Sequence, residues 1–262
     1  QGPLAYWTCE DQRRLRTLIP ENRKRAYDVR AVIETMADTG SVMELRREFG
    51  IGMITALVRI EGRPMGLMAN NPRHLGGAID ADAADKAARF MHLCDCHGLP
   101  LVSLCDTPGF MVGVEAEKTA LVRHVSRLFV TASHLRVPLF AVVLRKGYGL
   151  GVMAVAGGYF HAPFFTVSWP TGEFGGMGLE GAVRLAMRRE LEAIEDPARR
   201  EETFRQAVAL FYEHGKAINT ASYLEIDGVI DPMETRRWIL QGLRSVPGVE
   251  PGGAGRTFVD PW

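Results

Sequence analysis

No stretch of the chain holds the roughly 18 consecutive apolar residues that a membrane-spanning helix requires, and the first residues lack the layout of a secretory leader. Charge of one sign is not in excess either. Lys plus Arg number 31 and Asp plus Glu number 31, so nothing draws the protein as a whole to nucleic acid or to an anionic membrane. Cysteine is sparse: Cys9, Cys94, Cys96 and Cys105 show no framework spacing, as expected of reduced thiols in a cytoplasmic protein. Cys94-Asp95-Cys96-His97 has the residue types of a metal site. Residues two apart on a helix leave on different faces, however, so no metal is expected there. G-x-S-x-G, H-E-x-x-H and Walker sequences are all missing, which removes the usual nucleophile-elbow, zinc-hydrolase and P-loop chemistries. His124, His134 and His161 are scattered and read as surface or packing residues. An initiator Met is absent before Gln1-Gly2-Pro3, as expected of a fragment, a processed product or a chain carrying tag residues.

What the chain does contain is alternation. Its 262 residues suffice for one large domain or two small ones. Residues 1–22 read as a polar lead-in with a helical stretch from Asp11 to Leu18, and Tyr27 to Asp38 has a helical period closed by Thr39-Gly40. Ser41 to Phe49 reads as a charged connection. Ile54 to Ile60 and Pro64 to Ala69 form a hairpin around Glu61-Gly62-Arg63. Asp80 to Cys96 is helical, with Ala84, Ala87, Ala88, Met91 and Leu93 or Cys94 inward. Leu99 to Cys105 is a buried strand, and Glu115 to Thr131 is one helix with Leu121, Val122, Val125, Leu128 and Phe129 on its inner side.

The strand Leu139 to Leu144 ends in two cations, Arg145 and Lys146, then turns through Gly147, Gly149 and Gly151 into a small-residue helix. Glycines let backbone N–H groups approach a ligand, and a helix start presents unpaired donors to negative charge. The turn reads as an oxyanion-binding device. Beyond it come a strand from Phe164 to Trp169, a glycine-rich loop from Pro170 to Gly178 and a helix from Ala182 to Ile194. A helix opened by Asp196-Pro197, a short strand from Leu224 to Ile230 and a helix after Pro232 close a domain spanning 23–245. A loose Gly- and Pro-rich tail is expected over 246–262. The repeated strand, glycine turn and helix place both glycine turns on one rim of a parallel α/β sheet.

Six collinear stretches carry a resemblance: Ile19-Pro20-Glu21-Asn22 with Tyr27-Asp28-Val29-Arg30; Gly62-Arg63-Pro64 to Asn70; Lys86-Ala87-Ala88-Arg89-Phe90; Asp106-Thr107-Pro108-Gly109-Phe110; Arg145-Lys146 with Tyr148-Gly149; and Trp169-Pro170-Thr171 to Ala182. On these residues the chain resembles the C-terminal domain of the carboxyltransferase (beta) component of biotin-dependent acyl-CoA carboxylases, in the crotonase superfamily. The resemblance implies an α/β, crotonase-like (ClpP/crotonase) stacked ββα superhelix. It implies movement of the carboxyl group from carboxybiotin to the α-carbon of an acyl-CoA, with oxyanions developing on the biotin ureido oxygen and the thioester. Donors aimed at such charge are each worth about 3 kcal/mol. The family's biotin-side oxyanion hole maps onto the backbone N–H groups of Leu150 and Gly151, beside Gly149. Many members have Gly-Gly-Ala where this chain has Gly149-Leu150-Gly151. Gly109, Phe110, Tyr148, Met153, Arg145 and Lys146 are the expected biotin and acyl-CoA pocket, Met153 implying a larger apolar acyl group.

The chain has no Ala/Val-Met-Lys-Met sequence for biotin attachment, so biotin is expected from a biotin carboxyl carrier protein or domain. Biotin carboxylase, an N-terminal carboxyltransferase domain and further copies of the chain are the other expected partners, with no metal, nucleic acid or membrane. Three competing readings exist. Gly149, Gly151 and Ala154 satisfy a dinucleotide fingerprint, with Glu173 as its acidic ribose partner. A crotonase-type hydratase, isomerase or decarboxylase would need an acid, and Glu173 is the one candidate between Arg145 and Phe174. The chain could also be a non-catalytic piece that completes an assembly.

Overall fold

A computed structural model describes residues 6–246. Asp11 accepts the amide of Arg13 and opens a short 3-10 turn that runs into α1 (Leu15–Leu18), and Asp28 caps α2 (Val29–Met36) in the same way. The polar lead-in is docked, because Leu15 and Ile19 are buried in the same core as α2. Within the stretch read as a charged connection lies a strand, β1 (Met43–Leu45), antiparallel to β2 (Met53–Ile60). Its two partly buried residues, Glu44 and Leu45, are too few to show an apolar period. The hairpin from β2 to β3 (Arg63–Asn70) closes with Ile60 opposite Arg63. Glu61 and Gly62, with φ of 50° and 73°, form the left-handed two-residue turn that right-twisted strands favour.

Asp80 caps α3 (Ala81–Cys96), which leads to β4 (Leu101–Thr107). The single helix expected next is two, α4 (Val114–Lys118) and α5 (Leu121–Ala132), because Ala120 adopts a left-handed φ of 54°. Val122 faces outward. β5 (Leu139–Tyr148) outruns the expected strand by four residues and feeds α6 (Gly149–Val155). Then follow β6 (Phe165–Ser168), β7 (Glu173–Gly175), α7 (Leu179–Ala186), α8 (Arg188–Glu192), α9 (Pro197–His214), α10 (Ala217–Ser222), β8 (Gly228–Val229) and α11 (Thr235–Ser245). The tail expected over 246–262 lies outside the described residues after Val246.

The strands form one sheet in the order β1-β2-β3-β4-β5-β6-β8, parallel from β3 onward, with β7 added beside the end of β5. Side chains alternate across it. Leu139, Ala141 and Val143 of β5 enter a core with α3, α5 and α6, while Phe140, Val142 and Leu144 enter a second core with α1, α2 and α11. Burying both faces fixes the register and delivers the carboxyl ends of β4 and β5 to one rim.

Candidate functional site

At that rim two glycine turns touch. β5 continues through Gly147, so the turn is narrower than the sequence suggests and begins at Tyr148. Gly149 has φ of 57°, and a Cβ there would stand 2.8 Å from the Gly176 carbonyl oxygen. At Gly151 a Cβ would lie 2.6 Å from the Gly109 Cα, so only glycine lets α6 approach the 106–110 turn. That turn is held by its own atoms: the Gly109 amide donates to Thr107 Oγ1 at 3.1 Å, and the Gly109 carbonyl accepts from Ile79 N at 3.0 Å. Phe110 is half-buried against Phe129.

Among the described residues no side chain caps α6. The amides of Leu150 and Gly151 belong to the first turn, where helical geometry provides no acceptor. Leu150 is 63% exposed and stands at the lip, whereas Gly151 is buried against Gly109. Met153, one helical turn on from Gly149, is half-buried and packs on the core. Leu150, Gly151, Gly149, Gly109, Phe110 and Met153 are therefore brought together by α6 and the turn it contacts.

Three other expected pocket residues are placed differently. Arg145 is buried and forms an ion pair with Asp106 at 3.1 Å, donates to the Arg25 carbonyl at 2.8 Å, and lies over the Tyr27 ring at 4.9 Å. Lys146 offers its amide to Asp106 at 3.1 Å and its ammonium to the Gly76 carbonyl. Burial pushes that ammonium below its ordinary value, with Asp106 opposing the shift. Both cations thus brace the rim from below, because Asp106 sits at the end of the adjacent strand. The Tyr148 ring is buried as well, covering Gly175. Asp106 holds both cations, and Glu173 lies buried in β7 beside the end of β5. Sequence reading places Asp106 only within a glycine turn and weighs Glu173 only as a ribose partner or catalytic acid, missing the ion pairs of the first and the strand β7 that carries the second.

Glu173 is 1% exposed, with Arg23 at 3.7 Å. A carboxyl so enclosed cannot reach a substrate on the rim, which removes the acid of a hydratase or isomerase and the ribose partner of a dinucleotide site. Cys94 is buried with its thiol pushed up to about 12 by burial and then by Asp95, while Cys96 is half-buried. Among the described residues no three His, Cys, Asp or Glu side chains are grouped for a metal, and no helix is long and apolar enough to cross a membrane.

The carboxyl transferase domain family matches residues 3–246. The methylmalonyl-CoA carboxyltransferase 12S subunit of Propionibacterium freudenreichii subsp. shermanii is 38% identical over 234 residues, which cover 87% of this chain and 43% of that protein. The chain thus spans less than half the length of this curated relative. Among solved structures, a single-chain, multi-domain long-chain acyl-CoA carboxylase superposes with a TM-score of 0.85 at 56% identity, over 92% of this chain and 24% of that one. The transcarboxylase 12S hexamer, solved with methylmalonyl-CoA and methylmalonic acid bound, superposes with a TM-score of 0.84 at 31% identity, over 99% of this chain and 50% of that one. These neighbours and the stacked sheet agree with the crotonase-like α/β class expected from sequence.

Proposed function

The chain belongs to the carboxyl transferase domain family, and from that premise we propose that it supplies the biotin-side half of an acyl-CoA carboxyltransferase site. The observation that carries this reading is the junction of Gly151 with Gly109, which sets two uncapped first-turn amides at the mouth of a rigid rim. Carboxybiotin, arriving on a carrier protein or domain, supplies the transferable carboxyl group. The Leu150 and Gly151 amides hold the negative charge that develops on the ureido oxygen. Such preorganised dipoles need no reorganisation as the charge appears. Gly109 fixes the opposite wall, and Leu150 shields the donors from water. Asp106 holds Arg145 and Lys146 so that the strand end bearing the turn cannot move.

Met153 lies on the same helix, two residues past Gly151, and its flexible thioether suits a long apolar acyl group better than a short one. The long-chain acyl-CoA carboxylase among the similar structures supports this choice of substrate class. The CoA side of the site belongs to an N-terminal carboxyltransferase domain, and we assign the chain to a cytoplasmic homo-oligomer that also engages biotin carboxylase. Joined to such a domain and given carboxybiotin, the chain is expected to carboxylate acyl-CoAs, with rate rising from acetyl- to long-chain substrates. An assembled enzyme that transfers no carboxyl group contradicts the reading.

A further inference from the structure

The proposed chemistry uses backbone amides, yet the most enclosed polar groups near them are two side chains that it leaves idle. β7 pairs with the last three residues of β5, Lys146 opposite Glu173 and Tyr148 opposite Gly175. The Tyr148 ring lies over Gly175, whose Cβ would meet it at 3.7 Å. Glu173 and Tyr148 are 1% and 2% exposed. Neither carboxyl oxygen of Glu173, nor the Tyr148 hydroxyl, has a hydrogen-bond partner among the described residues. Three orphaned polar atoms so close together are unusual, since buried polar groups are nearly always satisfied.

Resting on the carboxyltransferase reading, we infer that Glu173 is a positioning residue of the α6 turn: a neutral acid packed beside Tyr148, from which Gly149 to Gly151 depart, that keeps negative charge away from the Leu150 and Gly151 amides. The groups facing it are consistent with the uncharged form. Arg23, the nearest cation at 3.7 Å, is already bound by Glu180 of α7 at 2.7 Å. Arg145 and Lys146 are engaged by Asp106, a second carboxylate. Lys216, opposite Glu173 across an isolated bridge, bonds Glu213 at 2.7 Å. Burial raises the Glu173 carboxyl above its ordinary value, while Tyr148, Arg23 and Arg145 oppose that shift and Asp106 adds to it. An ionised Glu173 would add buried negative charge beside the end of β5, the strand from which Gly149 to Gly151 depart.

The test compares Glu173→Gln and Glu173→Ala in the assembled enzyme. Wild-type transfer is expected to decline at alkaline pH; Glu173→Gln, isosteric and neutral, is expected to keep neutral-pH transfer within about threefold and to abolish that decline, whereas Glu173→Ala lowers transfer by about tenfold. Infrared difference spectra of the chain at neutral pH should contain a protonated-carboxyl C=O stretch that Glu173→Gln removes. That spectrum requires no turnover, so it decides the inference even if carboxyl transfer itself fails. An alkaline decline that persists in Glu173→Gln overturns it, as does a Glu173 band of the ionised form at neutral pH.

Discussion

Placing a methyl group at Gly151 tests the contact on which the site is built. A Cβ there meets Gly109 Cα at 2.6 Å, Gly109 C at 2.7 Å and Phe110 N at 3.1 Å, all of them backbone atoms. No rotamer change relieves such a clash. Restoring ordinary contact at 3.4 Å opens the junction by about 0.8 Å. The 106–110 turn is pinned by Thr107 and Ile79, so α6 must yield. Overpacking of this kind costs about 1–3 kcal/mol, and donors displaced by nearly 1 Å lose on the order of 100-fold in rate. Gly151→Ala in the assembled enzyme should therefore unfold at lower urea concentration and turn over about 100-fold more slowly, with KM for the acyl-CoA nearly unchanged. Gly228→Ala is the control, because a Cβ at Gly228 meets nothing within 4 Å. Folded Gly151→Ala protein turning over within about threefold of wild type would refute the junction's role. The same collision makes Gly151→Pro a poor probe of the Gly151 amide, since it adds the clash to the loss of the N–H.

Other consequences follow from the buried charges and from α6. Lys86 is buried with no hydrogen-bond partner for its ammonium among the described residues, and burial pushes it down to about 8. The folded chain binds fewer protons than the unfolded chain between that value and 10.5, so wild-type stability rises with pH across this window. Lys86→Met should be about 1–3 kcal/mol more stable at pH 7 by urea unfolding, with the gap closing near pH 10.5; a destabilised variant contradicts this. Asp106→Ala leaves Arg145 buried and unpaired and should cost about 3–5 kcal/mol, measured by the same unfolding assay. Met153→Asp should shift preference toward short acyl-CoAs, read as the ratio of kcat/KM for long and short substrates; an unchanged ratio removes Met153 from the acyl pocket.

Much of the scaffold is written locally. The Glu61-Gly62 turn, the caps Asp28, Asp80 and Asp196, and the largely apolar runs of β4 and β5 each follow from residue types within a few positions. What escapes sequence reading depends on distant partners. β7 is three residues long and exists because β5 runs on to Tyr148 and offers it an edge. The break between α4 and α5 falls at an alanine in left-handed conformation, a choice no local residue signals. Leu15 and Ile19 look like isolated apolar residues in a polar segment until α2 supplies their core. The site divides in the same way. Gly149, Gly151 and Gly109 are legible as turns, because only glycine meets their demands. Arg145, Lys146 and Tyr148 sit on the expected rim, but Asp106 and β7 draw their side chains inward.

The claim that the α6 amides hold the biotin ureido oxygen is open to one direct measurement. In an assembled, transfer-competent enzyme carrying isotope-labelled leucine and glycine amides in this chain, a biotin ester is titrated and the amide resonances are followed. Saturable downfield shifts at Leu150 and Gly151, with Gly228 unmoved, are the predicted result. Saturation of biotin binding that leaves both amides unshifted would contradict the account.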